Sequence, residues 1–507
     1  MLNLHMSKII LTTLNSRYAH TSIALRYLYA NLREFQQDAK IMEFSINDAI
    51  ETIALKLLQN KPKIIGIGVY IWNVSEVKEL IHIIKKVSDA TIVLGGPEVT
   101  HEPFRTDITQ ADFIIQGEGE KSFYNLCGKL YANNPPKDKI IRMEIPTLSE
   151  IEFPYRYYSD EDIKNRYLYV EASRGCPFEC EFCLSSMDER VRAFDIDKLL
   201  EEFEILWQRG ARNFKFIDRT FNLNMKTAYR LLDFFLQKEP PYFAHFEVVP
   251  DHFPSALKQK IASFGEGALQ LEIGIQTLDP KIALNISRRL DLVKIKQNIK
   301  FLQNETKAHI HLDLIVGLPQ ESLEGFGKNL DELVSMSSCE IQIGILKKLS
   351  GTHINRHDKE HGMVYSDIAP YGILQNNLID FQEIQTMKRF ARFWDMVYNS
   401  GNFVKTAPLI WEGGSVFENF YDFGLWIYKQ TDSTYKISLD RLSGLIFRYL
   451  KEIKHTDIEK IAKNMLQDIT KIKGRAIPKY LKPYVYLYET KPKKTTGNFN
   501  KRQKLSI

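Results

Sequence analysis

The stretch YLYVEASRGCPFECEFC (Tyr167–Cys183) runs from an apolar, strand-like segment straight into three cysteines within eight residues, in a chain that has only five. The cysteines are spaced four and then three positions apart. Because the first follows a strand directly, the motif belongs on a loop at the strand's carboxyl end. A structural zinc site would call for four ligands, usually with a second pair farther along. Cys127 falls on a helical pattern and Cys339 opens a later strand, and each reads as an ordinary buried small residue. Zinc or a redox pair are the alternatives. Three thiolates without a fourth suit a 4Fe–4S cluster in which one iron stays free for a small molecule.

Working outward, residues 166–364 alternate strand and helix patterns. The strands are YLYVEAS, NFKFIDRTF, FAHFEVVP, ALQLEIGIQT, HIHLDLIVGLP and CEIQIGILKKL. Six such βα units imply a partial (β/α)6 TIM-like barrel, open on one side, with chemistry at its C-terminal rim. Residues 1–132 show a second α/β series, KIILTTL, AKIMEFSI, KIIGIGVYI, TIVLGGP and ADFIIQGEGE, with amphipathic helices between them. This pattern predicts a doubly wound, flavodoxin- or Rossmann-like domain with a parallel sheet and a ligand at the strands' carboxyl ends. The dipeptides of NNPP (Asn133–Pro136) open a linker, 133–165. Residues 365–490 are mostly helical in pattern, and 491–507 form a basic tail.

At 507 residues the chain is too long for a single core, and 44% hydrophobic with 26% charged residues is a globular composition. No apolar run reaches the roughly 18–20 residues that span a bilayer. The N-terminus reads as a first buried strand rather than a leader, with Met6 a further candidate start. Five cysteines do not make a disulfide framework, so a reducing cytoplasm is the expected setting. The net charge is +5, and the tail from Lys491 contributes six basic residues and no acidic ones. The body is therefore near neutral and not that of a strongly basic nucleic-acid binder. The tail reads first as a solvated end, and second as a contact for RNA or membrane.

The cysteine loop CPFECEFC resembles the cluster motif of the radical S-adenosylmethionine (SAM) superfamily, including the aromatic Phe182 before the last cysteine. The resemblance implies that Cys176, Cys180 and Cys183 hold a 4Fe–4S cluster whose free iron chelates SAM. It also implies reductive cleavage to a 5′-deoxyadenosyl radical, with electrons from a donor such as flavodoxin or ferredoxin. Further positions follow from the same likeness. Asp218 and Arg219 in FKFIDRTFN are implied near the SAM amino group. EVVP is similar to the third-strand ending of coproporphyrinogen-oxidase-like members and implies Glu247. GIQTLDPKIALNISR implies Gln276 as a polar contact and Arg288 as the partner of the SAM carboxylate. DLIVGLPQES implies Asp313 and Gly317 near the adenine. Each charged group alone reads as a surface ion pair; in series at consecutive strand ends they read as one site.

Within that superfamily, a doubly wound domain ahead of the barrel is similar to the cobalamin-binding domain of one subgroup. Gly95 and Gly96 end one strand and Gly117 the next, so backbone can approach a bulky ligand, while Asn73 and Ser75 offer small polar groups. Tight βα turns are the plain alternative. Glu118 and Glu120 speak against a phosphate at the last helix N-terminus. The loop NSRYAHTS has His20 but not the Asp-x-His-x-x-Gly pattern of domains that place a histidine under the cobalt, so His20 reads as a local hydrogen-bonding residue. The third section resembles a poorly characterised helical domain of one bacterial subgroup. Together these features imply a cobalamin-dependent methyltransferase acting on an unactivated carbon. A cyclase or rearrangement enzyme with the same cofactors is the first alternative, and a cobalamin sensor the second, which the cysteine triad disfavours. The substrate is not named by any residue.

Overall fold

The structure, a computed structural model, describes residues 7–142, 145–188 and 190–487. The basic tail and the first six residues lie outside the described residues.

Strand β1 (Ile9–Asn15) is buried at all seven positions, as expected for a central strand covered on both faces. It is followed by α1 (Ile23–Ala30), β2 (Ala39–Ser45), α2 (Ile50–Leu58), β3 (Ile64–Gly68), α3 (Val74–Val87), β4 (Thr91–Gly95), β5 (Phe113–Gln116), α4 (Glu120–Tyr131) and β6 (Ile140–Arg142). Helix α1 begins where the Ser22 hydroxyl accepts the Leu25 N–H, and α3 buries Val74, Val77, Leu80, Ile81 and Ile84 along one stripe. The six strands are parallel in the order β2-β1-β3-β4-β5-β6. Helices pack on both faces, giving two separate cores. Strand order reverses between β1 and β3, where a doubly wound sheet opens a crevice at its carboxyl edge. Three residues of the expected linker, Ile140–Arg142, extend this sheet.

Helix α5 (Asp160–Asn165), closed by a Ser159–Asp162 capping box, leads to β7 (Leu168–Val170). A two-residue ribbon then pairs β8 (Ser173–Arg174) with β9 (Arg192–Ala193). The remaining units are α6 (Ile196–Gln208), β10 (Asn213–Phe216), α7 (Met225–Leu236), β11 (Phe243–Val248), α8 (Ser255–Ala262), β12 (Leu269–Gln276), α9 (Pro280–Asn285), α10 (Leu292–Glu305), β13 (His309–Val316), α11 (Leu323–Met336) and β14 (Glu340–Ile345). The six long strands are parallel in the order β14-β13-β12-β11-β10-β7, with β7 and β14 unpaired to each other, so the barrel is open. Alternate residues divide by face: Ile310, Leu312, Leu314 and Val316 of β13 join the core beneath the helices. His309, His311 and Asp313 lie on the opposite, inner face.

The last section adds the hairpin β15 (Val364–Tyr365) and β16 (Ile373–Gln375), then α12 (Phe381–Trp394), α13 (Val416–Thr431), α14 (Leu439–Glu452) and α15 (Ile458–Thr470). It shares one continuous core with the barrel, in which Trp394, Phe390 and Phe420 meet Phe326 and Phe417. It also touches the first domain, where the Tyr371 hydroxyl donates to Glu98 in the turn after β4. Among the described residues no helix is long and apolar enough to cross a membrane.

Candidate active site

The three cysteines sit on a loop whose ends are tied by the β8–β9 ribbon. Cys176 N–H donates to the Asp188 carbonyl at 2.8 Å, and Cys183 N–H to the Cys180 carbonyl at 3.0 Å. Gly175 precedes the triad at φ +88°, and a Cβ there would lie 2.3 Å from the Arg190 carbonyl oxygen, so only glycine allows this closure. Below the loop, Glu181 is buried and accepts from Ser287 Oγ (2.5 Å), Arg356 Nε (2.8 Å) and His357 Nε2 (2.9 Å). Burial raises the Cys176 and Cys180 thiols, and the charges of Cys183 and Cys180 add to the first. Three thiols on one loop, with no fourth beside them among the described residues, are a donor set that fits an iron–sulfur cluster. Cys127 and Cys339 lie apart, their thiols pushed by burial up to about 12 and about 11.

Arg288 connects the loop to the barrel: Nη1 lies 3.4 Å from Cys180 Sγ and Nη2 donates to the Gly274 carbonyl at 2.7 Å. The Gly-x-Gln segment has a geometric reason. Gln276 has φ +68°, the register with β13 shifts between Gly274 and Gln276, and the Gln276 amide folds back to within 2.6 Å of where a Cβ on residue 274 would lie. Arg219, half exposed, pairs with Glu247 at 3.0 Å. Asp218 is buried and accepts from Ala172 N–H (2.9 Å) and Ser173 Oγ (2.6 Å), with burial raising it to about 7. It braces the strand entering the loop. Asp313 is raised well above the carboxylate range by burial and by the nearby Glu272 and Glu247 charges, and its Oδ1 has no hydrogen-bond partner. An orphaned buried carboxyl on the inner face is the kind of atom a bound polar ligand satisfies. Phe182 packs against the barrel core. Gly317, at φ +90°, is closed over by Ile373 of β16, so its missing side chain serves packing with the last section.

Between this loop and the first sheet lies a cleft of about 860 Å³, lined mainly by apolar groups. Gly68, Gly95, Gly96, Gly117 and Gly119 face it from one side, and Arg174, Leu184, Met187, Asp188 and Arg219 from the other. A Cβ on Gly117 would meet nothing within 4 Å, and one on Gly95 only the Ile115 carbonyl at 3.9 Å. That open cradle over glycine-ended strands fits a bulky ligand such as cobalamin. Gly96 differs: at φ +111° a Cβ would lie 2.6 Å from the Val69 carbonyl oxygen, so it is required by the turn itself. The structure does not bring Asn73 or Ser75 to the cleft. Asn73 is fully buried, its amide spent on Leu14 and Gly68 carbonyls and Thr13 Oγ1, and its Oδ1 on the Tyr70 N–H. Ser75 is exposed on the far side of α3, beside Lys78 and Glu79. His20 lines the cleft, but its Nδ1 is 2.7 Å from the Tyr169 hydroxyl of β7, consistent with a local hydrogen-bonding role. Burial, then Lys215 and Arg17, lower its pKa.

Sequence reasoning did not find the groups that join the two halves of the cleft. Arg174 spans from β8 to Glu118, Glu120 and Glu171 at 2.7–2.8 Å, and Arg192 also reaches Glu118. Farther out, buried Arg26 and Arg166 share Glu43 and Asp162. The stacked pair Tyr70 and Trp72, 4.5 Å between centroids, forms part of the cleft wall. Only adjacency of Glu118 and Glu120 hinted at a cationic partner.

Comparison with known proteins gives three family matches in tandem: a B12 binding domain over residues 9–127, the radical SAM superfamily over 170–333, and a protein family of unknown function over 359–505. An uncharacterized methyltransferase of Pyrococcus horikoshii is 27% identical over 348 residues, 61% of this chain and 73% of that protein. The 2-(S-pantetheinyl)-carbapenam-3-carboxylate methyltransferase of Streptantibioticus cattleyicolor is 22% identical, covering 62% of this chain; the match spans half (50%) of that relative's length. In fold, the chain is similar to the cobalamin-dependent SAM radical enzyme OxsB with aqua-cobalamin bound (TM-score 0.63, 15% identity, 91% of this chain, 79% of that one). It is also similar to the radical SAM methyltransferase TsrM of Kitasatospora setae with cobalamin and a 4Fe–4S cluster (TM-score 0.56, 17% identity, 69% and 77%).

Proposed function

We propose that this radical SAM enzyme, whose domains imply a 4Fe–4S cluster, SAM and cobalamin, transfers a methyl group to an unactivated carbon of its substrate. When bound, these groups supply reductive cleavage of SAM to a 5′-deoxyadenosyl radical and a carrier for the methyl group. The observation that carries the reading is the shared cleft: glycine-ended strands of one domain face the cysteine loop of the other across about 860 Å³.

The chain's own residues then divide the work. Cys176, Cys180 and Cys183 hold the cluster, and the Arg288 guanidinium, anchored between Cys180 Sγ and the Gly274 carbonyl, places positive charge and further N–H donors beside the cluster loop for the SAM carboxylate. Gln276 and the Arg219–Glu247 pair offer polar contacts at the rim, and Asp313 presents a carboxyl with an unpartnered Oδ1 from the inner face. Gly95 and Gly117 leave room for cobalamin. The apolar walls exclude water, which would otherwise quench a reactive radical. Electrons come from an external one-electron donor of the flavodoxin or ferredoxin kind.

The test is anaerobic turnover with methyl-deuterated SAM in a small-molecule extract of the source cells. A new product carrying the intact labelled methyl supports the reading. An unlabelled isomer or ring product formed alongside 5′-deoxyadenosine would assign rearrangement instead.

A further inference from the structure

At the end of the barrel opposite the cysteine rim, two histidines and a glutamate converge. His309 and His311, two apart on β13, put their side chains on the same inner face. Glu340 opens the neighbouring strand β14, where it pairs in register with His311. His309 Nε2 lies 3.0 Å from His311 Nε2 and 3.0 Å from Glu340 Oε1, while His311 Nε2 lies 3.1 Å from Glu340 Oε2. All three side chains are largely shielded, at 15%, 16% and 7% exposure.

The geometry points to a divalent-metal site, most suited to Zn²⁺, that staples β13 to β14 through three protein donors, with a solvent molecule as the fourth ligand. Donors held 2.0–2.1 Å from a tetrahedral zinc stand roughly 3.3 Å apart, close to the spacings here. Two imidazoles and a carboxylate are a donor set for zinc and its first-row neighbours, and not for Mg²⁺ or Ca²⁺, which take oxygen. Two imidazole nitrogens facing each other beside a carboxylate stand as ligands sharing one cation would. The outer ligand sphere is present too: the Gln270 amide is 3.4 Å from His311 Nδ1, and turned with its oxygen toward the ring it accepts Nδ1–H and leaves Nε2 to the metal. None of the three ligands lines the cleft, and His309 and His311 stand four and two residues before Asp313, about 13 and 7 Å along the strand. The ion's role is to fix the last strand at the barrel's open edge, independent of the proposed reaction.

Untagged full-length protein with its cluster reconstituted is stripped with EDTA, titrated with Zn²⁺ alone, and assayed for bound zinc and iron by mass spectrometry. One zinc per chain beyond the cluster iron is expected, with a zinc K-edge spectrum showing nitrogen and oxygen ligands and no sulfur. His309→Ala and His311→Gln should each weaken zinc binding at least tenfold, leave iron unchanged and keep the circular dichroism spectrum. Absence of bound zinc in folded wild-type protein, sulfur in the zinc shell, or full zinc binding in both variants would overturn the assignment.

Discussion

Arg174 Nη1 donates to Glu118 Oε2 at 2.7 Å, joining the ribbon two residues ahead of Cys176 to the turn that ends β5 in the other domain. The same guanidinium holds Glu120 and Glu171 at 2.8 Å and stacks on Tyr27 at 4.7 Å. It is 12% exposed, so its charge is sustained by these carboxylates and not by water. The acidic pair that argued against a phosphate at this helix start thus serves to orient the glycine-lined cradle toward the cysteine loop.

Arg174→Gln leaves Glu171 and Glu120 buried without a counter-charge, a loss on the order of 3–5 kcal/mol. The variant is expected to melt lower and to release hydroxocobalamin at least tenfold faster, with the cluster still assembled. Scanning calorimetry and cobalamin release by gel filtration read both effects. Unchanged release would mean that the clamp does not position the cleft.

The two glycines that end β4 should separate ligand space from backbone need. Gly95→Val places its side chain in open cleft and is expected to abolish hydroxocobalamin binding in a protein with normal circular dichroism. Gly96→Val meets the Val69 carbonyl at a left-handed φ and is expected to damage the fold itself. Equal cobalamin binding by Gly95→Val and wild type would move the ligand elsewhere.

Arg288→Lys keeps the charge but loses the fork that spans Cys180 Sγ and the Gly274 carbonyl. SAM affinity is expected to fall by about 1–3 kcal/mol, roughly 5- to 150-fold, while iron content holds. Equilibrium binding of SAM to the reconstituted variant measures it; unaltered affinity would make Arg288 a brace of the loop alone.

Glu321 is buried beneath the rim, with Oε1 accepting from Thr277 and Asn329, and burial raises it to about 8. The folded chain keeps this proton where an exposed glutamate, near 4.5, has lost it. The native state therefore binds more protons between those values, and stability falls as pH rises from about 4.5 to about 8, by at most about 1.4 kcal/mol per pH unit. Glu321→Gln preserves the acceptor oxygen and is expected to flatten that slope and raise the melting midpoint at pH 8. A slope as steep in the variant as in wild type would place the titration on another group.

Both parallel sheets were legible because apolar runs alternate with helical stripes, and the cysteine loop because open-iron chemistry needs three thiolates and no fourth. Gln276 and Arg288 could be nominated from a short local segment. What stayed hidden depends on partners distant in sequence. Asn73 looked like a ligand contact, yet its amide closes the β3 turn, since a buried loop must satisfy its own backbone first. Arg174 was passed over since two of its three carboxylates, Glu118 and Glu120, lie more than fifty residues upstream. The HIH run was visible, but Glu340 joins it only through the pairing of β13 with β14. Gly317 was legible as a glycine but not as a seat for Ile373, which belongs to another section.

The most direct measurement reacts the anaerobic, cluster-reconstituted, cobalamin-loaded full-length enzyme with a one-electron reductant and SAM, and quantifies nucleoside products. The account requires both 5′-deoxyadenosine and S-adenosylhomocysteine, the first lost when Cys176, Cys180 and Cys183 are replaced by alanine, the second dependent on cobalamin. Formation of 5′-deoxyadenosine with no S-adenosylhomocysteine would contradict methyl transfer, and cleavage surviving in the triple-alanine variant would contradict the cluster assignment.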